Sequence, residues 1–147
     1  MIRRPMLRLI ALTLLGLGVV ASSCTPLQEK QRSVLMAPSE ELPPDLQHAA
    51  VVVRDAYRFA AANPDVLRAL PCYCGCGGMG HTSSYACFVA GESADGNLRF
   101  DGHALGCSIC VEIARDALLL LERGESIPTI RAHVENSYAQ YGPSNLP

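Results

Sequence analysis

Cys107-Ser108-Ile109-Cys110-Val111-Glu112-Ile113-Ala114-Arg115-Asp116-Ala117-Leu118-Leu119-Leu120-Leu121-Glu122-Arg123 is the stretch on which the fold reading turns. Cys107, Cys110, Ala114, Ala117 and Leu121 recur at the three-four spacing of one helix face. Glu112, Arg115, Asp116, Glu122 and Arg123 occupy the other side, and Gly124 supplies the stop. The spacing predicts a helix over 107–123 with both thiols on its inward face, in the first turn. Unpaired amide groups and the positive dipole end at that terminus are expected to lower the thiol pKa values and favour thiolate.

Downstream, Ser126 and Pro128 open a last helix that is expected to bury Ile127, Ile130, Val134, Tyr138 and Tyr141. On the N-terminal side the helical pattern begins at Asp45, where Leu46, Ala50, Val53, Tyr57 and Ala60 trace one continuous face. Asn63 caps and Pro64 starts a short second helix carrying Val66, Leu67 and Leu70 up to Pro71. From Cys72 to Gly80, glycines 75, 77, 78 and 80 make a loop. Tyr85 to Val89 and Asn97 to Phe100 flank an Asp95-Gly96 turn, which predicts a hairpin with Cys87 on its first strand. The expected fold is mainly α: about four helices around one cysteine- and glycine-rich loop and a short β-hairpin, spanning 45–147.

The chain of 147 residues opens as a leader. Met1 to Arg8 carries Arg3, Arg4 and Arg8, and Leu9 to Val20 is apolar but too short to span a bilayer. Ala21-Ser22-Ser23-Cys24 then resembles a bacterial lipobox, so residues 1–23 read as a lipoprotein signal peptide. Cys24 would be the first mature residue, its thiol diacylated with palmitate-type chains. The competing reading is an ordinary secretory cleavage site. Pro5, directly after Arg3-Arg4, speaks against twin-arginine export. Thr25 to Pro44 is polar, with Pro26, Pro38, Pro43 and Pro44, so 24–44 is expected to be a lipid-anchored flexible tether reaching roughly 25 Å. The protein is then exported and membrane-anchored on the extracytoplasmic side, in a periplasm or on a cell surface.

Three of the twelve basic residues leave with the leader, so nine face fourteen acidic ones and the mature net charge is −5. A nucleic-acid partner, which wants a basic patch, is not expected. Tryptophan is absent, which argues against stacking platforms and aromatic cages.

The chemistry concentrates in six cysteines: Cys72, Cys74 and Cys76 alternate, Cys87 follows, and Cys107 and Cys110 begin the long helix. In extended backbone, residues two apart point to the same side about 6.5 Å apart, and curvature at Gly75 brings them closer. A row of three thiols suits several sulfur-bridged ions better than one tetrahedral ion. His81 lies six residues before Cys87 and His103 four before Cys107, so both are candidate ligands of the same centre. Met79 is a candidate thioether ligand, whereas His48 and His133 lie on helices away from the thiols and read as structural or surface residues. Copper(I), which prefers soft sulfur and low coordination numbers, uses every thiol. Zinc closes a tetrahedral site with four donors and leaves at least two thiols over.

Export into an oxidising compartment also makes disulfides a serious alternative, with fifteen pairings of six cysteines. Three alternating cysteines in five residues pair with one another only under strain, which weakens it. Thiol redox catalysis by Cys107-x-x-Cys110 is a further alternative, although no strand leads into Cys107 and no βαβ period is seen. An iron–sulfur cluster would have to be inserted after export or carried across folded.

The run Pro71-Cys72-Tyr73-Cys74-Gly75-Cys76, with Gly80-His81, Cys87-Phe88, His103-Ala104, Cys107 and Cys110, closely resembles the bacterial PCYCGC-motif proteins. The resemblance extends over roughly Asp45 to Tyr141. Proteins of that family are small and exported, and many are lipoproteins, so kinship implies the ligand set and leaves function to chemistry. Together these readings predict a non-enzymatic lipoprotein. In it Cys72, Cys74, Cys76, Cys87, Cys107 and Cys110, helped by His81 and His103, hold a multinuclear copper(I)–thiolate cluster for delivery, storage or detoxification. Its expected partners are the membrane, through Cys24, and a copper donor or acceptor protein.

Overall fold

The computed structural model describes residues 33–147. The predicted signal peptide 1–23, Cys24 and the beginning of the predicted tether lie outside the described residues. The elements run α1 (Pro44–Gln47), α2 (Val51–Ala62), α3 (Pro64–Arg68), β1 (Val89–Glu92), β2 (Leu98–Phe100), α4 (Ser108–Glu122) and α5 (Ile127–Tyr138), linked in places by single 3-10 turns. The fold is mainly helical with one small antiparallel hairpin.

The long helix α4 packs against both α2 and α5. Its buried residues Cys110, Val111, Ile113, Ala114 and Ala117 meet Ala56, Tyr57, Phe59 and Ala60 of α2 and Ile130, Val134 and Tyr138 of α5. Gly124, at φ 84, takes the left-handed conformation that ends α4. Ser126 then caps α5, its Oγ accepting the Thr129 amide at 3.3 Å. Tyr57 ties this frame to the hairpin: its ring meets Phe88 edge-on at 5.1 Å and Phe100 at 6.2 Å, and its hydroxyl donates to the Asp101 carbonyl at 2.6 Å.

Several sequence expectations change. The single helix predicted from Asp45 is two, because Ala50 (φ −51, ψ 142) is extended and caps α2. Leu46 is thereby buried on its own while Ala50 is exposed, and the buried face of α2 includes Phe59. Asn63 does not cap α3 with its side chain; that amide donates instead to the Leu35 and Phe59 carbonyls. In the hairpin, Val89 pairs with Phe100, Gly91 with Arg99 and Glu92 with Leu98, with a bulge between Val89 and Gly91. Tyr85–Cys87 is a 3-10 turn preceding β1, so Cys87 does not lie on a strand. Tyr141 lies beyond α5 and is exposed.

The described half of the predicted tether is docked rather than free. Val34 and Met36 pack on the core, Leu42 is buried, and Ala37 and Arg58 exchange hydrogen bonds of 3.1 and 2.7 Å. Pro38 and Pro43 are extended (ψ 141 and 153), so this segment shows no apolar period even though it buries apolar side chains.

Candidate metal centre

Three separate pieces of chain converge at the N-terminal end of α4. The first is Pro71–Met79, which leaves α3 through a buried Pro71 and is anchored by Ser84, whose amide and hydroxyl donate to the Leu70 and Pro71 carbonyls at 2.9 and 2.7 Å. Cys72 and Cys74 lie on the same side with sulfurs 3.4 Å apart. Gly75 then bends the chain at φ 84, and Cys76 begins a 3-10 turn. The curvature expected at Gly75 is therefore present: the Sγ atoms of Cys72, Cys74 and Cys76 all lie within 4.8 Å of one another.

The second piece is the Tyr85–Cys87 turn, which brings Cys87 to 3.4 Å from Cys76. Arg68 stacks over the Tyr85 ring at 4.5 Å and braces this turn against α3. The third is the start of α4, where Cys107 takes the capping position and Cys110 lies one turn in. The Cys110 sulfur is 3.4 Å from Cys107, 3.5 Å from Cys72 and 3.6 Å from Cys74. All six thiols are free.

Both predicted histidines join them. His103 Nε2 lies 3.3 Å from Cys74 Sγ, and the His81 and His103 rings meet edge to face at 5.2 Å. The eight side chains form four overlapping sets whose donor atoms lie within 4.8 Å of one another: Cys74/His103/Cys107/Cys110, Cys76/His81/Cys87/His103, Cys72/Cys74/Cys76 and Cys72/Cys87/Cys110. These groups can hold metal ions. The sulfur spacings approach the roughly 3.8 Å edge of a tetrahedron with metal–sulfur bonds of about 2.3 Å. His81 Nδ1 is buried without a hydrogen-bond partner, a cost that a bound ion relieves.

Met79 stands apart from this arrangement, 60 % exposed. His48 bonds the Pro44 carbonyl within its own turn and His133 bonds Asp116 Oδ2 at 3.0 Å; both are exposed and stand apart from the thiols.

The electrostatics depart from the helix-terminus expectation at Cys110. Its thiol pKa is pushed up, by contact with Cys72, then Cys87, then burial. Cys72 is instead held far below the ordinary thiol range, by its contacts with Cys110 and then Cys87. Burial chiefly raises Cys74 and Cys76, with the Cys72 charge adding to it. Crowding thus sets Cys72 below the ordinary thiol range and Cys74, Cys76 and Cys110 above it.

Two contacting residues were not foreseen. Asp101 Oδ1 accepts the His103 amide at 2.8 Å and Oδ2 lies 3.5 Å from His81 Nε2, the position of a carboxylate that orients a ligating imidazole. Its place two residues before His103 was the available signal. Asn145 reaches Cys76 Sγ at 3.4 Å from the far end of the sequence, and nothing in the sequence pattern marks it.

No curated protein and no solved structure matches the chain. A family model described as a protein of unknown function with PCYCGC motif matches residues 20–146, a span that takes in all three converging pieces and the C-terminal segment. With the motif cysteines gathered in one cluster and the match running nearly end to end, the chain belongs to the PCYCGC family.

Proposed function

We propose that this chain is an exported lipoprotein that binds copper(I) in a multinuclear thiolate cluster and does no catalysis of its own. The observation that carries the reading is the overlap of the four donor sets: Cys72, Cys74, Cys87, Cys110 and His103 recur among them, and Cys76 does too. One tetrahedral zinc ion uses four donors and leaves the other half of this set of thiols and imidazoles unused. Sulfur-bridged copper(I) accepts two or three donors per ion and lets neighbouring ions share them. Anchoring follows from the lipobox-like Ala21-Ser22-Ser23-Cys24 and the apolar run before it.

Handover is the role the burial pattern favours. Cys72, Cys76, Cys87 and Cys110 are buried, whereas Cys74, Cys107 and His103 are half-buried. Cys107 also lines an open groove of about 430 Å³ with Leu105, Val52 and Val111. Copper then exchanges with a donor or acceptor protein at the Cys74/His103/Cys107 edge, by replacing one thiolate at a time, and is held at the enclosed end.

Anaerobic titration with copper(I) against a competing chelator tests this: more than one ion per chain is expected. Uptake of one zinc ion that copper(I) does not displace would reduce the centre to a structural site. The 3.4 Å approach of Cys107 and Cys110 favours thiol redox activity as a second reading. That reading requires turnover in an insulin-reduction assay, lost in Cys107→Ser.

A further inference from the structure

Gly142-Pro143-Ser144-Asn145-Leu146-Pro147 follows the last helix and has neither a regular element nor an apolar period. It nevertheless folds back onto the cysteine loop. The Cys72 amide donates to Asn145 Oδ1 at 2.6 Å, the Asn145 amide donates to the Cys72 carbonyl at 3.1 Å, and Asn145 Nδ2 donates to Cys76 Sγ at 3.4 Å. One residue thus pairs both backbone groups of the first motif cysteine and the thiol of the third.

The approach is close enough to need a glycine. A Cβ on Gly142 would stand 2.8 Å from the Tyr73 carbonyl oxygen, although φ 167 is extended backbone open to any residue. On the other side, the Asn145 Cβ lies 3.5 Å from where a Cβ on Gly77 would be. Leu146 and Pro147 then share the lining of an open cavity with Arg68, Ser83, Tyr85 and Ala86, beside the turn that carries Cys87.

Cys72–Met79 has no regular ladder to hold it, so its thiol positions depend on partners from elsewhere in the chain. An amide that donates to a sulfur also stabilises the thiolate form and fixes its direction. We propose that Asn145 is a positioning residue, and that residues 142–146 are a clasp that holds Cys72 and Cys76 in the cluster and sets how fast metal leaves its buried end. The rate statement rests on the metal-cluster reading; the protection of the thiols does not.

The test uses the full chain, reduced and metal-free, with iodoacetamide labelling of each cysteine followed by mass spectrometry. Asn145→Ala removes two side-chain hydrogen bonds and is expected to label Cys76 and Cys72 about tenfold faster, with Cys107 unchanged. Asn145→Asp keeps the acceptor for the Cys72 amide, so Cys72 should stay as protected as in the parent chain. Gly142→Ala lifts the segment with Asn145 intact and should reproduce the Asn145→Ala pattern. Unchanged Cys76 labelling in both Asn145→Ala and Gly142→Ala, or equal acceleration of all six thiols, overturns the proposal. Loaded with copper(I), Asn145→Ala should keep its stoichiometry and release metal to a chelator about tenfold faster. A parent chain that takes up no copper(I) refutes the cluster reading, and the labelling pattern still decides the clasp.

Discussion

Cys107 and Cys110 reach the cluster by one kind of physics, and Cys72, Cys74 and Cys76 by another. Cys110 is placed by register, with Cys107 just ahead of it as the extended capping residue: α4 buries Val111, Ile113, Ala114 and Ala117, and with that face fixed the thiol of Cys110 has one direction in which to point. The loop trio follows no register. Its geometry comes from a left-handed Gly75, from Ser84 anchoring Pro71, and from Asn145 on Cys72 and Cys76. A rigid helical arm and a loop arm held by scattered anchors thus face each other across the cluster.

The largest effect is expected at the sulfur where the two arms meet. Cys110 contacts Cys72, Cys74 and Cys107, whereas Cys107 stands at the half-buried edge. Cys110→Ser should therefore reduce copper(I) uptake to one ion or none in anaerobic titration, and Cys107→Ser should keep multinuclear uptake. Equal losses from the two would show that edge and centre are not distinct.

The rigid arm can be weakened without touching a ligand. Ile113 is fully buried on α4, and Ile113→Ala should cost the metal-free, reduced chain about 2–5 kcal/mol in denaturant unfolding. Metal stoichiometry should survive wherever the variant is folded.

Between the arms lies His81, with Asp101 behind it. Asp101→Asn keeps an acceptor for the His103 amide but removes the carboxylate facing His81 Nε2. Metal affinity in chelator competition should fall about 10–100-fold with the circular dichroism unchanged. An unaltered affinity would leave His81 outside the centre.

The smallest effect is expected at the bend of the loop arm. A side chain at Gly75 meets nothing within 4 Å, so Gly75→Ala should cost only the left-handed backbone penalty, about 1–2 kcal/mol in thermal unfolding. Gly78→Ala, equally open and with no positive φ, should be nearly silent in the same measurement.

The same division explains what the sequence made legible. The helix of Cys107 and Cys110 could be read from period alone, within a residue at either end, because its apolar face is set by local spacing. The convergence of the eight thiol and imidazole side chains was also expected, from their density between residues 72 and 110. What escaped was non-local. Asn145 is 69 residues from the thiol it contacts, and no local pattern encodes such a bond. The docking of Val34, Met36 and Leu42 was hidden for a related reason: proline-rich extended chain buries alternate side chains without a helical or strand period. Cys87 was placed on a strand because Tyr85 to Val89 is rich in aromatic and branched residues, and the hydrogen bond from its amide to the Ser84 carbonyl, at 3.2 Å, closes a 3-10 turn instead.

The most direct test of a multinuclear soft-metal centre is native mass spectrometry of the reduced chain, loaded anaerobically with copper(I). The predicted result is one dominant species carrying several copper ions with all six motif thiols protected from alkylation. A chain that carries a single ion, or one whose six cysteines are already paired in disulfides before loading, would contradict it.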